Sequence, residues 1–129
     1  MKTDKRRKGD IGEDVTCKYL EKRGYRVVEK NYWKPWGEID IVAERANILS
    51  FVEVKTVTRG TGQSVSRENI RPEENFHEGK LRRLHRAIQT YLLQHKVPES
   101  KPWQIDLACV YLDLTAKKAR VELMENIVL

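Results

Sequence analysis

The sequence predicts an α/β fold, a mixed central sheet flanked by helices, in the order helix, three strands, helix, then one or two strands. Apolar residues recur at helical spacing in two separated segments, and strand-type alternation fills the stretch between them. Residues 103–112 are apolar on both faces, as an interior strand covered from two sides must be. Crossover connections of this length favour a sheet sandwiched by helices.

Residues 10–23 read as the first helix. At about 100° per residue, Ile11, Val15 and Tyr19 form one stripe, and Glu13, Thr16, Cys17 and Leu20 form another. Glu13 therefore shares a face with residues destined for burial. Gly24 is a good left-handed terminator, although Gly12 and Thr16 are poor helix formers. Residues 1–9, with Lys2, Lys5, Arg6, Arg7 and Lys8, read as a basic flexible tail, and residues 10–129 as one domain.

A short strand follows at 25–30, then a loop around Pro35, Trp36 and Gly37. Residues 38–44 and 48–55 are two further strands, joined tightly through Arg45, Ala46 and Asn47 into a hairpin. Residues 57–74 are polar and aperiodic, with Gly60, Gly62, Ser64, Ser66 and Pro72, and read as a long mobile loop. Asn75 is placed to cap the second helix, with Glu78 three residues on. Leu81, Leu84, Ile88, Tyr91 and His95 then share a face, and the helix ends before Pro98. Residues 119–123 and 126–129 supply weaker strand material.

The chain of 129 residues is long enough for one core. Its formal charge of +6, with five cations in the first eight residues, suits a polyanionic partner, though a solvated basic tail accounts for it equally. Cys17 and Cys109 lie among apolar neighbours and read as small core residues. No apolar run suggests a secretory signal or a membrane span, so the expected address is the cytoplasm, with no membrane partner.

Chemistry concentrates in the hairpin. Alternation puts Asp40 and Val42 on one face of their strand, with Ile39, Ile41 and Ala43 on the other. Phe51, Glu53 and Lys55 share a face of the next. If the turn is centred between Ala46 and Asn47, Asp40 falls opposite Glu53, with side chains roughly 5 Å apart. Two carboxylates so placed repel unless something neutralises them, and a hard divalent cation held by one or two carboxylates and water does so. Lys55 lies two residues along, suited to assist a nucleophilic water or to stabilise negative charge on a phosphate. The alternative is a solvated strand face with a cross-strand ion pair, against which stand the apolar neighbours Ile39, Ile41, Val42, Phe51, Val52 and Val54.

Gly12-Glu13, Gly37-Glu38-Ile39-Asp40 and Phe51-Val52-Glu53-Val54-Lys55, followed by Lys80, Arg83-Leu84 and Ile105-Asp106, carry a family resemblance. The pattern resembles the bipartite motif of the PD-(D/E)XK nuclease superfamily. It is closer still to the YraN-like family of small, largely uncharacterised endonuclease-like proteins. The resemblance covers nearly the whole chain. It implies a restriction-endonuclease-like αβββαβ core, with Asp40, Glu53 and the Val54 carbonyl holding Mg²⁺ or Mn²⁺. It also implies Lys55 as the catalytic lysine and Glu13 as a further metal or water ligand. Ile39 replaces the proline of the superfamily name, and the 57–74 loop is longer than is usual for the family.

Other residues have weaker claims. Lys80, Arg82, Arg83 and Arg86 of the second helix are candidate phosphate contacts, and Trp36 is a candidate for base stacking. A solvated helix face explains Arg82 and Arg86 equally well. Asp106, in the interior strand, calls for a cationic partner from the second helix, such as Lys80 or an arginine. His77, His85 and His95 lack metal-ligand spacing. Trp33 and Trp103 could also stack on bases, with Trp36 the better candidate and Trp103, at the head of a core strand, reading rather as core packing.

The expected activity is metal-dependent hydrolysis of phosphodiester bonds in DNA by a monomer or homodimer. A structure-selective nuclease resembling Holliday-junction resolvases is one alternative, and a non-catalytic nucleic-acid-binding module on a nuclease scaffold is the other.

Overall fold

The computed structural model describes residues 4–59 and 76–127. Its elements are α1 (Asp4–Lys22), β1 (Arg26–Lys34), β2 (Gly37–Arg45), β3 (Ile48–Arg59), α2 (Glu78–Gln94), β4 (Trp103–Asp113) and β5 (Lys118–Met124). The strands lie in the sheet in chain order. Neighbours are antiparallel except β3 and β4, which run parallel. A parallel neighbour demands a crossover, and α2 lies within it. This is the expected mixed sheet, consistent with a restriction-endonuclease-like αβββαβ core, with β5 added at one edge.

The sheet separates two cores. Leu84, Ala87, Ile88 and Tyr91 of α2 pack with Val42, Phe51, Ile105 and Leu107 on one face. Cys17 and Leu20 of α1 pack with Ile41, Ala43, Val52 and Ala108 on the other. Alternate residues of β2, β3 and β4 feed opposite cores, which is why β4 is buried continuously from Ile105 to Leu112.

Several boundaries differ from expectation. Helix α1 begins at Asp4, so residues 4–9 are helical where a flexible tail was expected. Lysine and arginine are good helix formers and carry the helix through this run. Strand β1 continues through Tyr32 and Trp33 to Lys34. Strand β3 runs on to Arg59 because its parallel pairing with β4 persists to Arg59↔Asp113. Residues 57–59 of the expected loop are therefore strand, and its remainder lies outside the described residues. Asn75 lies outside them too, and His77 caps α2, its Nδ1 accepting the Lys80 N–H at 3.2 Å. Residues 126 and 127 are not strand, although the Ile127 N–H donates to the Ile105 carbonyl at 2.8 Å.

The hairpin turn is centred where the sequence put it. Ala46 and Asn47 both have positive φ, 51° and 63°, the signature of the turn type that matches strand twist. The register follows, from Arg45↔Ile48 to Ile41↔Val52. One step further the regularity ends. The β1–β2 pairs step over Asn31 and Asp40, and Asn31 has φ 53°. Ile39, expected on the face of Ile41, packs instead with Val42 in the α2 core. The alternation of β2 thus breaks at Asp40.

Candidate active site

That break is what frees the Asp40 side chain. By count Asp40 faces Glu53, but the paired register stops at Ile41↔Val52, so the two acids are not ladder partners. Asp40 Oδ2 instead accepts the Val54 N–H at 2.8 Å. Burial and the neighbouring charge of Glu53 push the Asp40 carboxyl up to about 8, against the lowering effect of the Val54 N–H. Glu13 adds to the rise, so it too stands close enough to be felt.

Glu13 owes its place to Gly12. A Cβ at Gly12 would lie 1.9 Å from Thr56 Oγ1, so α1 presses on β3 through a residue with no side chain. The poor helix former noted in the sequence is the contact point between helix and sheet. Thr16 is fully buried beside it, its hydroxyl donating to the Gly12 carbonyl at 2.7 Å.

Glu53 is 8% exposed and forms an ion pair with Lys80, Nζ to Oε1 2.7 Å. Lys80 comes from α2, which packs on the face of the sheet that Glu53 shares with Phe51. Lys55, half-buried, alternates onto the same face and is paired in the backbone register with Cys109 of β4. Sequence reasoning offered Lys80 as a phosphate contact and as a partner for Asp106. Its observed partner is Glu53. Asp106 is wholly buried without that cation: its Oδ1 accepts the Asn126 N–H at 2.8 Å and Gln104 Nε2–H at 2.9 Å. Burial raises its carboxyl, and these hydrogen bonds moderate the rise.

Beside Glu53 opens a cleft of about 480 Å³ between the β1–β2 connection and α2. Glu53, Lys80, Arg83, Trp36 and Trp33 line it. Gly37 makes this closure possible, because a Cβ there would lie 2.3 Å from the Arg83 carbonyl oxygen. Trp36 is pinned, its Nε1–H donating to Thr90 Oγ1 at 3.1 Å, and the Arg86 guanidinium lies 5.2 Å from its ring centre. Arg82 does not line the cleft and makes an exposed 3.8 Å contact with Glu78. Sequence reasoning ranked Trp33 behind Trp36 as a stacking candidate, and Trp33 is the more open of the two, 63% exposed at the cleft.

Among the described residues no three His, Cys, Asp or Glu side chains are grouped to hold a metal ion. The donors on offer, Asp40, Glu53 and the Val54 carbonyl, are all oxygen, and Mg²⁺ needs only one or two carboxylates beside water. Lys80 Nζ engages Glu53 at Oε1. A carboxyl raised by burial and by a neighbouring acid is the kind of group a divalent cation relieves. The residues fit such an ion. The histidines have other work: His77 caps α2, His85 lies edge-on to Trp103, and His95 stacks on Tyr91 with ring centres 4.0 Å apart. Among the described residues no helix is long and apolar enough to cross a membrane.

The model of the uncharacterised protein family UPF0102 matches residues 12–110. A UPF0102 protein of Campylobacter lari is 34% identical over 92% of this chain and 91% of its own length. Those of Helicobacter hepaticus and Wolinella succinogenes are also 34% identical, over 96% of this chain and over 96% and 98% of their own lengths. The matched stretch contains Glu13, Asp40, Glu53, Lys55 and Lys80.

Proposed function

The chain belongs to the uncharacterised protein family UPF0102, and from the site it carries we propose that it is a metal-dependent nuclease-type enzyme hydrolysing phosphodiester bonds in DNA. The observation that carries the reading is geometric: Asp40 Oδ2 accepts the Val54 N–H at 2.8 Å, one residue along from Glu53, which lines a cleft together with Lys34, Lys80 and Arg83. Asp40, Glu53 and the Val54 carbonyl would hold Mg²⁺ or Mn²⁺. A bound divalent cation supplies Lewis-acid polarisation of the scissile phosphate. Lys55, on the face of Glu53, donates hydrogen bonds to the attacking water or to a phosphate oxygen. Glu13, reaching toward Asp40 from α1, would be a further metal or water ligand. Lys80 and Arg83 neutralise phosphate charge along the cleft.

The test is cutting of duplex, branched and single-stranded DNA by purified protein with Mg²⁺ or Mn²⁺, beside the Asp40→Ala and Glu53→Ala variants prepared identically. Cutting by the wild type alone supports the reading. Equal cutting by all three preparations, or by none, sinks it.

The Lys80–Glu53 ion pair favours a second reading, a nucleic-acid-binding module whose acidic site is neutralised internally. Mn²⁺ titration separates the two. Wild type binding Mn²⁺ no better than Glu53→Ala favours the module.

A further inference from the structure

We propose that the cleft between Trp33 and Trp36 is a seat for one unpaired nucleotide, its base against Trp33 and its phosphate at Lys80 and Arg83. The inference deepens the nuclease reading by naming what enters the site, and it rests on that reading only for the cutting that follows. Four features of the molecule support it.

Trp33 is 63% exposed on the sheet's outer strand, and it lines the cleft with Trp36. An isolated surface tryptophan needs no explanation, but this one borders a concave site that also holds three cations and the buried acid Glu53. The opposite wall does not give way. Trp36 is tied to Thr90, and Gly37 is pressed against the α2 backbone, so the gap between the connection and the helix is fixed before any ligand arrives.

Size and charge select the occupant. At about 480 Å³ the cleft falls within the roughly 300–1,000 Å³ range of sites that enclose a small molecule. A single nucleotide is of the size that such a space takes. Lys34, Lys80 and Arg83 supply three cations at the lining, against the two carboxylates of Glu38 and Glu53. Glu53, engaged by Lys80, lies within the cleft. Aromatic faces stack on any base without reading its sequence, and lysine and arginine take the phosphate beside it. An extruded or single-stranded nucleotide placed here has its backbone next to Glu53 and, beyond it, Asp40.

The test measures binding in EDTA at low salt, using the full chain with short fluorescein-labelled oligo(dT), oligo(rU) and a blunt hairpin duplex. Trp33→Ala, at an exposed position, is expected to weaken binding of oligo(dT) or oligo(rU) about tenfold. Trp33→Phe restores most of it, and the affinity for the hairpin is unchanged by either variant. The proposal is overturned if Trp33→Ala binds both oligonucleotides as tightly as wild type, or loses hairpin binding to the same degree. Removing the cation keeps this measurement apart from cutting. Trp33-dependent binding by a chain that cuts nothing supports the seat while ending the nuclease reading. Cutting with no dependence of binding on Trp33 ends the seat alone.

Discussion

Asp40 carries two opposing influences, a buried position beside Glu53 and a hydrogen bond from the Val54 N–H, and the first is the larger. Its consequence for stability has a definite sign. Unfolded, the carboxyl titrates near 3.9, and folded at about 8. Between those values the native chain holds a proton that the unfolded chain has released, so in EDTA stability falls as pH rises from about 4 to about 8. Asp40→Asn keeps an acceptor for Val54 and abolishes the titration. It is expected to be more stable than wild type at pH 8, by on the order of 2 kcal/mol, with the advantage gone near pH 4. Urea denaturation at the two pH values measures this, and a variant no more stable at pH 8 contradicts it. The same proton must leave before a cation binds, so Mn²⁺ affinity should climb with pH and level off above about 8. Calorimetry in buffers of different ionisation enthalpy reads the proton release. The acids at this scale were legible because carboxylates in an apolar hairpin are conspicuous. Lys80 as the partner of Glu53 was not, since the two meet only through packing of α2 on the sheet.

Two glycines decide how close the helices come to the sheet, and they respond differently to the same substitution. In an exposed helix Gly→Ala stabilises by up to about 1 kcal/mol. At Gly12 the sign reverses, because the new methyl group would meet Thr56 Oγ1 at 1.9 Å. Gly12→Ala is expected to cost about 1–3 kcal/mol, and adding Thr56→Ala, which removes the obstructing hydroxyl, should recover much of it. Gly37→Ala offers no such rescue, since it meets the Arg83 backbone carbonyl at 2.3 Å. Thermal melts of the single and double variants distinguish side-chain from backbone obstruction. Full additivity of Gly12→Ala and Thr56→Ala contradicts the contact. Periodicity and turn chemistry revealed the helices, the hairpin and its register in advance. They did not reveal the break at Asp40, because a left-handed Asn31 and a change of face in β2 depend on the neighbouring strand and not on local alternation. The His77 cap was missed because Asn75 is the stronger capping residue by preference.

For the whole molecule, the charge of +6 predicts affinity for nucleic acid that falls steeply with salt, with a slope of roughly 0.7–0.9 per phosphate neutralised. Replacing Lys5, Arg6, Arg7 and Lys8 by Gln should weaken every nucleic-acid probe alike and flatten that slope. A loss confined to one probe would show that these cations discriminate among structures instead. Composition conveyed the charge, but gave no hint that residues 4–9 continue a helix. The parallel pairing of β3 with β4, the single one among the described residues, joins Leu49 to Trp103 far along the chain and also sets a timetable. Strands β1, β2 and β3 meet through short turns, whereas β3 and β4 must wait for the intervening chain and α2 to be arranged, and such non-local pairing is slow. The two acids are therefore gathered early, and the lysine that offsets one of them arrives late. Lys80→Ala should accordingly speed unfolding while leaving the folding rate nearly untouched, a division that stopped-flow chevrons can resolve. For an interval during its own assembly Glu53 stands without the lysine that later offsets it, and in that interval dissolved cations can act as a folding aid.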